Sequence, residues 1–272
     1  MSIIQAVILG IVQGVTEFFP ISSTAHLIIF PELFGWEEQK LVFDTTLHLA
    51  TASALIVYFW KDIISIVGSL FRDISKHGKK IKHYSSEATL GLKVVVGSIP
   101  AGVVGLLFGN FIEKVFRGIF SVAIFLLFGS ILMYVAERHH KKRFLVKDEI
   151  SLGKSFKVGI FQALALLPGF SRSGATISGG MILGLSRKEA ARFSFLLSIP
   201  VVLFAGISQL ISSLDYLNMA DFPPMAFGFV ASFITGIFAI KFMLGFVREK
   251  RLHPFIYYRV ALALFLIVLS IF

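Results

Sequence analysis

Residues 154–187 read KSFKVGIFQALALLPGFSRSGATISGGMILGLSR, with a basic residue at each end and two apolar runs between them. The runs, 155–168 and 172–184, hold about 13 residues each, or roughly 20 Å of helix. A helix that crosses a bilayer needs about 20 residues, so each run reaches only partway. Pro168-Gly169-Phe170-Ser171 separates them with residues that end helices and make turns. With Lys154 and Arg187 on one side, the chain must enter, turn near the midplane and leave where it entered. The stretch therefore predicts a re-entrant helical hairpin. Irregular backbone at that depth is tolerated only where it is buried in protein or lines a cavity.

Composition places the hairpin in a membrane. Of 272 residues, 56% are hydrophobic and only 15% are charged, against roughly 25% charged in soluble domains. Six segments are long enough to span: 44–60, 88–108, 119–136, 190–213, 224–247 and 256–272. A further apolar segment, 3–19, carries Gln5, Gln13 and Glu17. It lacks a basic start and reads as retained chain rather than a cleaved signal peptide. With no cysteine, disulfides and thiolate metal sites are excluded. The expected fold is an all-α polytopic membrane protein forming one membrane domain, 1–272.

The net charge of +10 would suggest nucleic acid in a soluble protein. Here the basic residues cluster in loops 61–87 and 137–157, around Arg187, Lys188 and Arg192, and around Arg248, Lys250, Arg251 and Arg259. Loops 20–43, 109–118 and 214–223 are poor in them. The positive-inside rule makes the first set cytoplasmic and the second external. The expected partner is the lipid bilayer, not nucleic acid, and the expected location is a plasma membrane with both termini outside.

The tip of the hairpin has a counterpart. Gly10-Ile11-Val12-Gln13 resembles Gly159-Ile160-Phe161-Gln162. Pro20 follows the first and Pro168 the second, and each leads into a hydroxyl-rich run, Ser22-Ser23-Thr24 and Ser171-Arg172-Ser173. The first copy would enter from outside and the second from inside. This predicts an inverted-topology repeat, 1–136 and 155–272, joined by a basic linker 137–154, with six transmembrane helices and two re-entrant hairpins. Matched broken segments of this kind mark a binding site at the midplane.

The two breaks suit an anion. A helix starting at Ser22 or Ser171 presents unpaired N–H groups and a positive dipole end, a ready site for phosphate. Ser22, Thr24, Ser171, Ser173, Gly174 and Thr176 are the candidate phosphate-binding residues, and Arg172 adds a planar fork of donors. Gln13 and Glu17 share one helix face. A carboxylate at that depth is costly and marks function; it can hold a divalent cation through oxygen, with Gln13, or act as a base. His26 can move a proton. Ser23 is a candidate nucleophile, with metal-bound water as its rival. Blander readings hold elsewhere. His48, beside Asp44, reads as structural, His139 and His140 as part of a solvated loop, and Lys93 and Lys241 as snorkelling at helix ends. Gly179, Gly180 and Gly184 read as packing positions.

The segment Gln13–His26, QGVTEFFPISSTAH, resembles the first signature of the bacterial undecaprenyl-diphosphate phosphatases, the bacitracin-resistance family, and Pro168–Thr176, PGFSRSGAT, resembles the second. The likeness covers nearly the whole chain and includes Phe193-Ser194-Phe195-Leu196-Leu197. It implies hydrolysis of a polyprenyl diphosphate lipid, undecaprenyl diphosphate, to the monophosphate, with a divalent cation, Mg2+ or Ca2+, and an inverted-repeat fold compatible with a homodimer. By the same likeness Glu17, Ser23, His26 and Arg172 are catalytic, and Gln13 and Glu17 hold the metal. Gln13 is a neutral ligand where the family also uses glutamate, and Ala25 stands where glycine is expected. The rival from another class is a transporter or flippase of a prenyl phosphate, which would not need Glu17, Ser23 and His26 together.

Overall fold

The computed structural model describes residues 1–141 and 150–271, so Lys142, Arg143, Lys147 and the middle of the linker expected at 137–154 lie outside the described residues. Eleven α-helices form among them: α1 (Ile3–Thr16), α2 (Ser23–Phe34), α3 (Leu41–Tyr58), α4 (Trp60–His77), α5 (Ser86–Phe116), α6 (Ile119–Lys141), α7 (Leu152–Leu164), α8 (Arg172–Leu183), α9 (Arg187–Ser213), α10 (Phe222–Glu249) and α11 (His253–Leu269). Five of them, α3, α5, α6, α9 and α10, are long and apolar enough to cross a membrane. The sixth expected span became α11, which is apolar but 17 residues long, about 26 Å of helix against a hydrocarbon core of about 30 Å. The basic stretch 61–87, expected as a loop, is mostly the helix α4. Its apolar residues recur at helical spacing, which the charge reading passed over.

The short helices pair as the breaks predict. α1 leads through a turn at 17–22 into α2, and α7 leads through 165–171 into α8. Helices of one half pack on the other half: α1 on α10, α7 on α5, α3 on α10, and α5 on α9. Gly10 and Gly159 allow the closest of these approaches. A Cβ at Gly10 would lie 2.5 Å from the Gly228 carbonyl oxygen, and one at Gly159 would run into that of Gly97. Gly179 likewise makes room for Phe161, but Gly184 has another role, ending α8 in the left-handed region at φ 113°.

Polar contacts sort the connections into two ends. At one end Lys40 pairs with Asp221 at 2.6 Å, and Arg117 pairs with Glu38 at 3.3 Å and Asp44 at 3.0 Å. At the other, Glu137 accepts two hydrogen bonds from Arg187 and one from the Leu252 amide, and Arg192 pairs with Asp62. These are the base-poor and base-rich sets of the sequence reading. Two expected members depart from it. Lys93 is buried rather than snorkelling, and Arg259 is fully buried among the helices.

The main core lies behind the two turns. Phe18 meets Phe195 edge-on at 5.4 Å, and Phe19 contacts Phe242 and Phe255. These rings pack the turn at 17–22 against α9, α10 and α11. On the other side a cavity of about 370 Å³ opens toward Asp44, Glu113 and Arg117.

Candidate functional site

The two turns end in the same unusual residue. Ser22 has φ 74° and ψ 98°, and Ser171 has φ 74° and ψ 114°. They are the only non-glycine residues at positive φ among those described. Holding an L-residue there costs on the order of 1–3 kcal/mol and marks functional turns. In each case the serine caps the helix that follows. Ser22 Oγ accepts from the Ala25 amide at 3.3 Å, and Ser171 Oγ from the Gly174 amide at 3.2 Å. The amides of the two residues next to each cap have no partner within the helix. The caps also correct the repeat register. Each serine stands nine residues after its glutamine, Gln13 or Gln162, so Pro20 corresponds to Gly169 rather than to Pro168.

Between the caps lies a charged centre. Arg172, the first residue of α8, donates through Nη2 to Glu17 Oε1 at 2.9 Å. Glu17 Oε2 accepts from Ser23 Oγ at 2.7 Å and from Gln13 Nε2 at 3.1 Å. The Arg172 Nε, buried, has no partner. Glu17, Ser22, Ser23, Thr24, Ser171 and Arg172 all line the cavity. The ion pair is mostly desolvated, with side-chain exposures of 13% for Arg172 and 7% for Glu17. At that burial it is a committed arrangement rather than a surface contact.

Other expected site residues are spent inside the protein. Ser173 Oγ donates to the Phe19 carbonyl at 3.1 Å, tying the start of α8 to the opposite turn. Thr176 Oγ1 donates to the Arg172 carbonyl at 2.8 Å and meets Ser194 Oγ at 2.5 Å. Gly174 contributes its amide to the cap. Both ring nitrogens of His26 bond to groups other than Ser23. Its Nδ1 donates to the Ser22 carbonyl at 2.7 Å, which leaves Nε2 to accept from Tyr258 Oη at 2.7 Å, and the two rings stack at 5.7 Å. His26 and Tyr258 thus hold the carbonyl of a strained cap. Tyr258→Phe keeps the stack and loses the hydrogen bond, worth about 1 kcal/mol. A fall in kcat of roughly tenfold or less, with little change in KM, is the expected result in steady-state phosphate release.

The sequence reading left three side chains out of this centre, with His48 read as structural, Arg259 placed in a basic cluster and Gln162 noted only as a repeat match. His48 donates through Nδ1 to the Asp44 carbonyl, placing Nε2 3.6 Å from Glu17 Oε2 on the cavity wall. Its place on α3, one turn from Asp44, gave no signal. Gln162 lines the same cavity, is 2% exposed, and has neither side-chain polar atom bonded. Its match to Gln13 in the repeat was the available signal. Arg259 is the largest correction. Its guanidinium donates to the carbonyls of Pro20, Leu126, Gly169 and Phe170 and to Ser130 Oγ, at 3.0–3.2 Å. One buried side chain therefore grips both turns. Gly129 leaves the space for it, since a Cβ there would lie 2.5 Å from the Phe170 carbonyl oxygen.

A cation-binding donor set is present in outline. Glu17 offers carboxylate oxygens, and Gln13 Oε1 is buried with no partner. No group of three or more histidine, aspartate or glutamate side chains suited to a metal occurs among the described residues. One carboxylate and one amide oxygen suit an ion that keeps water and takes further oxygens from a phosphate, as magnesium does, better than an all-protein cage.

Fold and site together define a multi-span membrane protein with a carboxylate, a hydroxyl and an arginine between two capped half-helices. A family model described as bacitracin resistance protein BacA matches residues 6–265, and the chain belongs to that family. It is 43% identical over 271 residues to the undecaprenyl-diphosphatase of Caldicellulosiruptor bescii, covering 97% of this chain and 96% of the relative. It is 40% identical to that of Myxococcus xanthus, covering 99% and 89%. It is 41% identical to that of Methanosphaera stadtmanae, covering 100% and 99%.

Proposed function

We propose that this chain hydrolyses undecaprenyl diphosphate to undecaprenyl phosphate and inorganic phosphate. That reaction recycles the lipid carrier of peptidoglycan synthesis and confers bacitracin resistance. The observation that carries the reading is the Ser23 hydroxyl donating to Glu17 while Glu17 is held by Arg172. A carrier needs an anion grip. It has no use for a hydroxyl poised on a buried carboxylate.

The diphosphate sits in the cavity between the capped starts of α2 and α8, with the prenyl chain leaving toward lipid. Arg172 and the free amides beside Ser22 and Ser171 bind oxygens of the terminal phosphate and the charge that grows on them. Thr24 and Gln162, on the cavity wall, orient the diphosphate. Ser23 Oγ attacks the terminal phosphorus and passes its proton to Glu17. The Oγ–P bond forms as the bond from phosphorus to the bridging oxygen breaks, and undecaprenyl phosphate leaves. Water then attacks the phosphoserine, releasing phosphate and restoring the Ser23 hydroxyl with the proton held by Glu17. Ser173, Gly174, Thr176 and His26 brace the two turns. Glu17 and Gln13 would hold a divalent cation, whose charge offsets that of the diphosphate oxygens.

Purified protein in detergent should release phosphate from a prenyl diphosphate, lose that activity in EDTA, and regain it with Mg2+ or Ca2+. Activity unchanged by EDTA would remove the cation from the mechanism. No release at all would remove the enzyme reading in favour of a carrier.

The swapped packing of α1 on α10 and α7 on α5 supports an inverted repeat of 1–136 and 155–272 with two re-entrant hairpins and six spans, α11 being the sixth. The clustering of bases at one end supports a cytoplasmic base-rich end, external termini, and entry of the lipid diphosphate from outside in a bacterial plasma membrane. Cysteine accessibility at Lys80 and Glu37 in intact cells tests the sidedness. The family resemblance also implies a homodimer, which light scattering of the solubilised protein tests.

A further inference from the structure

α4 is unlike the helices around it. It carries Lys61, Asp62, Arg72, Asp73 and Lys76 in 18 residues, too many charges for a span. At 100° per residue its side chains sort into three strips. Ile63, Ile66 and Leu70 form the first and pack inward, with Ile66 and Leu70 closing on Gly91 of α5. Trp60, Ile64, Val67, Phe71 and Ile74 form the second, an arc about 80° wide. They are exposed by 55%, 53%, 44%, 73% and 51%. The third strip is polar and carries Lys61, Arg72 and Lys76.

Both ends of the helix are fixed. Asp62 pairs with Arg192 of α9. Asp73 accepts from the Ser85 amide at 2.7 Å and from Ser85 Oγ at 2.6 Å. The second tie folds the chain back after α4, so Lys76, Lys79, Lys80 and Lys82 gather at its end. An apolar strip bounded by lysines matches a helix lying in a membrane interface, with its apolar side in the acyl boundary and its bases at the headgroups. Anionic headgroups attract such bases by about 1 kcal/mol each.

We propose that α4 is an in-plane membrane helix whose exposed strip and following lysines bind anionic phospholipid on the base-rich side of the bilayer. The occupant is lipid rather than protein because the lysines stand next to the apolar strip, where a headgroup layer meets its acyl chains. The proposal is independent of the phosphatase reading.

Trp36 and Trp60 are the two tryptophans of the chain, so Trp36→Phe leaves Trp60 as the reporter on the strip. The full-length variant is reconstituted in vesicles containing brominated phosphatidylcholine or, at equal mole fraction, brominated phosphatidylglycerol. Trp60 emission should be quenched by both, and more by phosphatidylglycerol. Replacing Lys76, Lys79, Lys80 and Lys82 with glutamine should lower that preference by at least about fivefold, the attraction of one lysine, while phosphate release continues at the parent rate. Equal quenching by the two lipids overturns the proposal, as does a preference unchanged by the four substitutions. Trp60 quenched by neither lipid, as a second copy of the chain covering the strip would give, also overturns it.

Discussion

Glu17→Gln should lower kcat for phosphate release by about 1,000-fold or more while the affinity for the diphosphate rises. The two effects have one cause. Glu17 accepts the Ser23 hydroxyl at 2.7 Å and the Arg172 guanidinium at 2.9 Å. Glutamine keeps the shape but cannot take a proton, so the nucleophile loses its base. General acid–base assistance is worth roughly 100- to 10,000-fold, and loss of a cation ligand adds to the deficit. Removing the carboxylate also frees Arg172. Breaking a buried ion pair commonly destabilises by about 3–5 kcal/mol because a charge is left unpaired. Here the cost should be smaller, since Arg172 borders the cavity and a phosphate or water can replace Glu17. The freed guanidinium then binds the diphosphate without first giving up a carboxylate, and Kd falls. Arg172→Lys should give the opposite pattern, a raised KM, because a single ammonium cannot match a planar fork on phosphate oxygens. Steady-state kinetics with equilibrium binding of a non-hydrolysable diphosphate separates the two. Glu17→Gln protein with parent kcat would refute the assignment of Glu17 as the base.

Glu17 and Arg172 were legible in the sequence because burying a charge is costly. A glutamate and an arginine at breaks in apolar segments have no bland explanation, and Glu17 and Arg172 do meet. The break at 168–171 was legible from helix length, since α7 and α8 form where the runs 155–168 and 172–184 were too short to span, and the break after α1 was legible from its match to it. What failed to show were contacts set by rotation and distance. His48 sits four residues after Asp44 on an apolar helix, and nothing local says that α3 turns it toward Glu17. His26 was legible as a proton-handling group. Its ring is instead directed by Ser22 and by Tyr258, 232 residues away. The hydroxyls of Ser173 and Thr176 were legible as polar groups at the break, but not their partners, the Phe19 carbonyl for one and the Arg172 carbonyl with Ser194 for the other. Charge counting grouped connections that also share ion pairs, as Lys40 with Asp221 and Arg192 with Asp62 do, but it assigned Arg259 to a basic cluster by proximity in sequence alone. Its place on the side of α11 that faces Leu126 and Ser130 of α6 decides its fate.

Arg259→Met should abolish most phosphate release and lower the melting temperature together. Arg259 is 0% exposed, and its donors reach Pro20 in one turn and Gly169 and Phe170 in the other. These three carbonyls lie just before the two strained serines. Methionine fills a similar volume but donates nothing, so the carbonyls would be buried without partners. Each such group costs about 1–3 kcal/mol, and a loss of about 3–5 kcal/mol in total is expected once relaxation and water entry are allowed for. A charge buried without a carboxylate is itself expensive, so the site tolerates Arg259 only because four carbonyl dipoles and Ser130 surround it. Arg259→Lys should recover part of the stability and little of the activity. An ammonium has three donors at one point, whereas the guanidinium spans acceptors on both turns and on α6. With one turn released, the capped starts of α2 and α8 no longer hold their spacing, and a shift of about 1 Å at a reacting centre costs on the order of 100-fold in rate. Gly129→Ala tests the same contact from the other side, by pushing a methyl into the guanidinium without removing any donor. All three variants should therefore lose kcat more than KM, measured at a temperature where each remains folded by its own melting curve. Arg259→Met protein that melts and turns over like the parent would show that the two turns are set independently of this side chain.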